Sequence, residues 1–476
     1  MKNTLVWQIV GSLTVSEMRE VKLMLESPFF NKREDLRKLF DCLQKAKRTG
    51  KGVLSKEAVF RETQPEGAFD DQQLRLLLSY LFKIMEQYLV LKEMRDNSLG
   101  SHHLLLAAYR KRGLGAHFQK VLNRGGKQLE RQPFRHAELF LEKYKIEHER
   151  YLFLSGSGRT KELNLQEVED NLTAAMLGMK LRQACFLRSH EAVFNAHYDI
   201  ALMGEILAEA ARPKFRECPA VSLYLACYRA LFQQQEGRYF KDFKKRLFEN
   251  VGRFPKAEMR DLYLLAINFC IKKVNESDAD YYREALDLYK SGLQTGLLIE
   301  GGRLSRFTYN NIVKIALLLR EEWTWAGRFV EEYKAYLDPA FRESAFSLNS
   351  ALMAYAGKHY DEALGHLQKA DYKDLISNMV AKTLQLKIYF ETDEYDLLDS
   401  HLRTMRMFIR RNKKMGYHRK NWSNIVRYTK KLMELNPFDE AQKTHLRKQI
   451  EAEEVLTEKE WLVERIESLR NQSLRG

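Results

Sequence analysis

The sequence predicts an all-α protein made of antiparallel helical hairpins stacked as an α-solenoid, with a helical cap at its N-terminus. Leu, Glu, Lys, Arg and Ala favour helix and are abundant, whereas the 476 residues include only 8 prolines and 24 glycines. No alternating apolar and polar run flanked by a tight-turn dipeptide indicates a β-hairpin. The length exceeds what one ordinary core supports, but a repeat array escapes that limit because it grows in one dimension.

Residues 1–100 are predicted to form a separate helical domain. Short polar residues that can cap a helix precede its amphipathic runs. Its longest helix is predicted over 71–95, and the apolar stripe of that helix is wide enough to require covering. The predicted caps are Ser16, Asn31 and Ser55, while Asp70 and Asp71 begin the long helix.

From residue 198 onward, an aromatic residue recurs three positions before a packing position, usually alanine, on the second helix of each predicted hairpin. Successive aromatic residues lie 41, 43, 41, 37, 35 and 43 positions apart. The most regular hairpin is N-S-A-L-M-A-Y-A-G-K-H-Y-D-E-A-L-G-H-L-Q-K-A at 349–370, with its turn at 357–359. The pairs are Tyr198 and Ala201, Tyr239 and Asp242, Tyr282 and Ala285, Trp323 and Ala326, Tyr360 and Ala363, Tyr395 and Leu398, and Phe438 and Ala441.

This spacing resembles a degenerate tetratricopeptide (TPR) repeat, in which small residues let two helices approach and an aromatic ring fills the gap beside them. The resemblance implies a TPR-like solenoid over 101–435, with a flexible break near 155–160 and capping helices at 436–476. It also implies a groove for an extended peptide, although the Lys and Asn set that clamps a terminal carboxylate in some TPR proteins is not reproduced. The groove positions carried over from two neighbouring hairpins are Leu348, Leu352, Tyr355, Thr383, Lys387 and Phe390.

The N-terminal domain carries two further resemblances. S-P-F-F-N-K followed by D-D-Q-Q-L-R-L-L-L-S-Y-L-F-K-I-M-E-Q-Y-L resembles the N-terminal region of an uncharacterised family of bacterial helical-repeat proteins. The short helix at 56–61 before the long helix at 71–95 is similar to the winged-helix part of transcription regulators that carry TPR-like repeats. A wing requires a hairpin after the recognition helix, whereas residues 90–95 continue the helical pattern.

The net charge of +15 is concentrated in two stretches. Residues 97–136 carry +7 and residues 400–433 carry +11, so the rest of the chain sums to −3. In the second stretch the cations are interleaved with Phe408, Tyr417 and Trp422. Guanidinium groups pair with phosphates and exposed aromatic rings stack on unpaired bases, so the pattern predicts a polyanion-binding site. The alternative is a solvated face whose aromatic residues belong to the core. The candidate cations are Arg403, Arg406, Arg410, Arg411, Lys413, Lys414, Arg419 and Lys420.

Sequence motifs of catalysis and metal binding are missing. Gly-Ser-Gly-Arg-Thr at 156–160 lacks the lysine and the first glycine of a phosphate-binding loop. No histidine grouping has zinc-site spacing, and adjacent carboxylates on a helix point about 100° apart. We therefore expect no enzymatic activity, cofactor or metal. The five cysteines form no C-x-x-C pair, and no apolar run approaches ~20 residues, so a cytoplasmic protein without a membrane span is predicted.

These observations favour a non-enzymatic scaffold or adaptor that binds another protein or a peptide segment. The alternative is a nucleic-acid-associated regulator that uses the basic run 403–420 or the N-terminal helices. A helical-repeat hydrolase or transferase is the third class, and a pocket with convergent histidines and carboxylates would favour it.

Overall fold

The protein is helical almost throughout, as the all-α prediction requires. The structure, a computed structural model, divides into two compact units, which are Met1–Gln183 with Ile200–Tyr224 and Ala184–Asp199 with Leu225–Gly476. It describes residues 1, 3–49, 55–65, 67–96, 100–156, 162–194, 196–233, 237–275, 278–369, 372, 374–412, 418–456 and 458–473.

The first unit holds two of the hydrophobic cores. One is formed by its first five helices and the other by the sixth to the eighth. The helices that lie in or enter this unit are α1 (Leu5–Ser12), α2 (Val15–Glu26), α3 (Glu34–Thr49), α4 (Lys56–Thr63), α5 (Asp71–Asp96), α6 (His102–Lys111), α7 (Gly115–Arg131), α8 (Ala137–Ser155), α9 (Leu165–Phe194), α10 (Met203–Ala210), α11 (Pro213–Arg216) and α12 (Pro219–Phe232).

Two of the predicted caps in this unit are wrong. Thr14, not Ser16, caps α2, because its hydroxyl accepts the Glu17 N–H while the Glu17 carboxylate accepts the Thr14 N–H at 2.7 Å. This reciprocal pair is a capping box, which satisfies two backbone donors instead of one. Asn31 holds the loop before α3, since its side-chain amide donates to the Leu25 carbonyl at 2.9 Å.

The predicted starts of α4 and α5 are confirmed. Ser55 accepts the Ala58 N–H at 3.1 Å, and Asp70 accepts two N–H groups of the first turn of α5. The apolar stripe of α5 packs against α1, α2 and α3 in one core. Described residues beyond Arg95 continue α5 to Asp96 and then form α6 from His102, so no wing hairpin follows.

In the second unit each helix packs mainly against its neighbours along the chain. The first helix of a hairpin also contacts the first helix of the next, as α16 does with α18 and α18 with α20. Its remaining elements are α13 (Gly237–Glu249), α14 (Lys256–Asn275), α15 (Asp280–Gln294), β1 (Ile299–Glu300), β2 (Arg303–Leu304), α16 (Arg306–Leu317), α17 (Trp323–Tyr333), α18 (Arg342–Ala356), α19 (Tyr360–Gln368), α20 (Leu375–Glu391), α21 (Tyr395–Arg411), α22 (His418–Met433), α23 (Glu440–Ala452) and α24 (Lys459–Ser473).

Two details of this unit differ from the sequence prediction. Residues 299–304 form a short antiparallel β-hairpin, whose turn is Gly301-Gly302 with both φ angles positive. Tyr198 does not begin a helix: residues 196–200 have no regular secondary structure, and the Tyr198 N–H donates to the Glu191 carboxylate at 2.6 Å. The spacing of aromatic residues in the sequence carries no information about this hydrogen bond, so the prediction at Tyr198 failed.

The most regular hairpin of the sequence is observed as α18 and α19. Ala351 and Ala363 are fully buried, so the small residues stand where the two helices pack together. The left-handed turn position is Lys358, with φ of 60°, and not the glycine before it. A lysine in this conformation is uncommon, and the turn is closed by hydrogen bonds from Lys358 and His359 to carbonyls at the end of α18.

Candidate functional site

The end of α21 and the beginning of α22 form a groove lined by arginines. Buried apolar residues recur along α21 at positions 398, 402, 405 and 409, which turns the intervening arginines outward. On α22, residues 419, 423 and 427 recur every fourth position and face the same opening. The cavity measures about 390 Å³ and is lined by Arg406, Ile409, Arg410, Arg419, Ser423, Val426 and Arg427.

Three of the four guanidinium groups in the groove have no carboxylate partner in the part of the chain that the structure describes. Within the described residues, no ion pair involves Arg406, Arg410 or Arg419, and all three are exposed. Arg427 is paired, since its guanidinium lies 2.6 Å from Glu453 and stacks over the Tyr428 ring. The groove therefore presents an excess of positive charge above two apolar side chains.

The first turn of α22 carries charges opposite to those that usually stabilise a helix N-terminus. A helix N-terminus carries partial positive charge and is stabilised by acidic residues. The first turn of α22 contains no acidic residue and instead carries His418, Arg419 and Lys420. An anion bound in the groove would remove this repulsion and use the helix dipole.

The structure brings together only some of the predicted cations. Arg406, Arg410 and Arg419 line the groove, whereas Arg411 and Lys420 are exposed outside it. The Arg403 guanidinium forms an ion pair with Asp399 on the same helix. Its hydrogen bond to Asp399 lowers the pKa of that carboxyl. Lys413 and Lys414 lie outside the described residues, as does Tyr417.

Two of the predicted aromatic residues near the groove lie in the described ranges, and neither forms an exposed stacking platform. Trp422 is only 5% exposed and belongs to the core that joins α20 to α24. Phe408 is half-buried against this core, with the Lys382 ammonium 5.8 Å from its ring centre. Among the described residues, the groove therefore offers phosphate contacts from its arginines, and these two rings pack with the core.

Sequence reasoning missed Arg427, Ser423 and the apolar floor of the groove. Arg427 lies eight residues after Arg419 on one helix, so helical spacing alone could have placed both on the same face. Ile409 and Val426 gave no signal of a site, because they continue the apolar stripes that pack the two helices together.

The positions predicted to line a peptide groove differ in their burial. Leu348, Thr383 and Phe390 are buried. The predicted set is completed by the half-buried Leu352, Tyr355 and Lys387.

Trp461 of α24 packs beside two of these positions, Phe390 and Lys387. Its ring meets the edge of the Phe390 ring at 5.6 Å between centres, and the Lys387 ammonium lies 5.6 Å from it. Lys387 is also paired with Glu458, at 3.0 Å, just before α24 begins. Two of the positions carried over from the repeat resemblance, Lys387 and Phe390, therefore contact the protein's own C-terminal segment.

A single carboxylate, Glu391 at the end of α20, fixes α24 in place. Its Oε1 accepts hydrogen bonds from the Tyr355 hydroxyl and the Trp461 indole N–H, both at 2.6 Å. Its Oε2 accepts the Tyr360 hydroxyl at 2.7 Å, and Arg465 lies 3.7 Å away. Burial alone would raise the pKa of Glu391, but these hydrogen bonds outweigh it and hold the pKa below the ordinary value of 4.5.

The lowered pKa of Glu391 predicts a loss of stability in acid. The ionised group contributes stability fully above its ordinary pKa of 4.5, and this contribution is lost as the pH falls through the lower pKa of the folded state. We expect the melting temperature of the wild type to approach that of Glu391→Gln as the pH is lowered from about 7 to about 3.5. The measurement is thermal unfolding of both proteins across that range.

The matched control for this comparison is Glu331→Gln, which changes an exposed carboxylate of the same unit. Its difference from the wild type should stay small at every pH. A constant gap between the wild type and Glu391→Gln over the whole range would contradict the assigned role of Glu391.

Other candidate chemistry receives no support from the described structure. Among the residues described, no group of three or more histidine, cysteine, aspartate or glutamate side chains is arranged to hold a metal ion. None of the five cysteines, all of which lie in the described ranges, forms a disulfide bond. Of the helices in the described ranges, none combines the length and the apolar character needed to cross a membrane.

Comparison with known proteins adds no relative. No protein-family model matches the chain, and no curated protein or solved structure is significantly similar to it.

Proposed function

We propose that this protein is a non-enzymatic binding protein that holds the phosphate backbone of a nucleic acid in the groove between α21 and α22. The observation that carries the proposal is the convergence of three arginines from two helices on one open cavity of about 390 Å³. Among the described residues, these three arginines form no ion pair. Arginine presents a planar fork of donors that matches a phosphate oxygen pair, and it keeps its charge at any physiological pH.

Nucleic acid is favoured over an acidic protein by the charge of the whole chain. A net charge of +15 attracts a long polyanion and raises its local concentration. Because Trp422 and Phe408 are core residues, we expect contacts to the backbone and little dependence on base sequence.

The test is titration of the full chain with single-stranded RNA and DNA at several salt concentrations. We expect the logarithm of the association constant to fall linearly with the logarithm of the salt concentration, with a slope of about −0.7 for each phosphate contacted. Strands of different base sequence should bind with similar affinity. Polyglutamate provides the comparison. Binding to polyglutamate that equals or exceeds binding to nucleic acid would identify an acidic protein as the partner, and no binding at low salt would reject the site.

We further propose that the second unit is a TPR-like solenoid and that the protein acts in the cytoplasm. Support for the first comes from the packing of each hairpin on the next through their first helices. Support for the second comes from the five cysteines of the described residues, which form no disulfide bond, as suits a reducing compartment.

A scaffold for another protein is the second candidate function, and one surface of the first unit favours it. On α5, Leu76, Tyr80, Val90 and Met94 are all more than a third exposed, although the opposite side of the helix fills the core. Isolated apolar residues are common at surfaces, but four on one helix face are typical of a partner helix or strand.

The scaffold function predicts a protein that is retained by the full chain and lost by Leu76→Glu/Val90→Glu. Affinity capture from the native source, with nuclease present, measures this. Both substitutions change exposed residues, so folding should be preserved and can be checked by circular dichroism. Identical sets of captured proteins for the two forms would count against a scaffold role for α5.

A further inference from the structure

The other basic stretch of the sequence, residues 97–136, also provides a defined surface, on α7 of the first unit. The buried side of α7 is formed by Phe118, Val121, Gly125 and Leu129. The opposite side is exposed and lines an open depression of about 460 Å³. Its lining residues are Lys120, Asn123, Arg124, Lys127, Gln128 and Arg131.

The four cations of this side follow the helical repeat. They are separated by four, three and four residues, so they form one row about 16 Å long. A nucleic-acid strand carries a phosphate about every 3.4 Å of duplex axis, so such a row faces several phosphates of one strand. Asn123 and Gln128 flank the row with neutral side-chain amides that can donate to phosphate oxygens.

The charges of this row are not balanced within the protein. In the part of the chain that the structure describes, Lys120, Arg124, Lys127 and Arg131 form no ion pair. Like charges three and four residues apart repel each other, and the first turn of α7 holds no acidic residue to offset its dipole. Glu130 is the one acidic residue of α7. A sequence that keeps such a repulsive row is typical of a surface whose partner supplies the opposite charge.

We propose that the exposed row of α7 is a second contact for the backbone of the same nucleic acid, so that a long strand is bound at two places. This inference rests on the proposed function of the α21–α22 groove. Two linked contacts make the second binding event intramolecular, which raises the apparent affinity for a long strand without changing either site. A short strand occupies one site at a time and gains nothing.

The experiment compares the full chain with a variant that carries Lys120→Gln, Arg124→Gln, Lys127→Gln and Arg131→Gln. Glutamine keeps helix propensity and removes the charge. We expect the variant to bind a single strand of about 60 nucleotides at least tenfold more weakly than the wild type, with a salt slope lower by about 2 to 3. Binding of a strand of about 8 nucleotides, which the arginine groove can hold alone, should change by less than about twofold.

A matched control removes four charges from the same unit. Lys38, Arg75, Arg212 and Lys214 are exposed and already have carboxylate partners, at 3.3, 2.6, 3.0 and 2.8 Å respectively. The corresponding four-glutamine variant has the same net charge as the α7 variant. It should therefore lose only the general attraction and should retain most of its affinity for the long strand.

The possible outcomes separate this inference from the proposed function. Equal binding of the long strand by the wild type and the α7 variant overturns the second contact and leaves the groove proposal intact. A wild type that binds neither strand overturns both. If the α7 substitutions reduce binding to polyglutamate or to anionic lipid vesicles but not to nucleic acid, the partner class is wrong and the inference fails.

Discussion

Replacing Arg406, Arg410 and Arg419 together by glutamine is expected to weaken the binding of single-stranded nucleic acid by about 100-fold at low salt. Each guanidinium that leaves the groove removes one charge-assisted contact to a phosphate, and three such contacts account for a loss of this size. The variant should also depend less on salt, because fewer counterions are released on binding. The slope of the logarithm of the association constant against the logarithm of the salt concentration should decrease in magnitude by about 2. The measurement is fluorescence anisotropy of a labelled strand at a series of salt concentrations.

The arginine variant has a control with the same change in net charge. Lys245, Arg303 and Arg447 are exposed in the same unit, and each is paired with a carboxylate on its own or a neighbouring element. Glutamine at these three positions should reduce affinity only slightly, through the weaker field of the protein. Equal losses in both triple variants would mean that net charge, and not the groove, determines binding.

The second large effect is expected at Trp461. Trp461→Ala should lower the free energy of unfolding of the second unit by about 3–5 kcal/mol, because a buried tryptophan leaves a cavity. The substitution also removes the indole N–H that donates to Glu391, so that a buried carboxylate loses one of its donors. Urea unfolding followed by circular dichroism measures the change.

Trp461→Phe separates the two contributions. Phenylalanine fills most of the space but donates no hydrogen bond, so a smaller loss of about 1–3 kcal/mol is expected. The same substitution should leave nucleic-acid affinity unchanged, since α24 does not line the arginine groove. An unaltered urea midpoint for Trp461→Ala would show that α24 is not held by the contacts described around Glu391.

Contacts at the predicted peptide groove change the balance between the two functional interpretations. A TPR-like groove is the usual argument for a peptide-binding scaffold. Here Lys387 and Phe390 contact the C-terminal segment, and Tyr355 shares the Glu391 carboxylate with Trp461. The basic run, by contrast, favours the interpretation as a nucleic-acid-binding protein. Two arginines of α21 and one of α22 meet in a cavity, although the loop between the helices lies outside the described residues.

Local patterns were sufficient for most helices. The Ser55 cap, the Asp70 start of α5 and the α18–α19 hairpin follow from polar caps and apolar spacing, which depend on neighbouring residues alone. The same patterns failed at Tyr198, which lies in a segment without regular secondary structure and donates its N–H to Glu191. They also failed at the N-terminus of α2, where both Thr14 and Ser16 could cap the helix. The structure has Thr14 as the cap, because Thr14 and Glu17 form reciprocal hydrogen bonds.

The sequence by itself determined the helical class of the protein, the hairpin at 349–370 and the positions where positive charge accumulates. These depend on helix propensity, on the 3.6-residue period and on composition, all of which act within a few residues. Only the tertiary structure decided which cations share a groove, which aromatic residues are core, and that Trp461 covers the surface beside Glu391. These depend on contacts between residues as many as 70 positions apart, such as Glu391 and Trp461, and no local pattern encodes them.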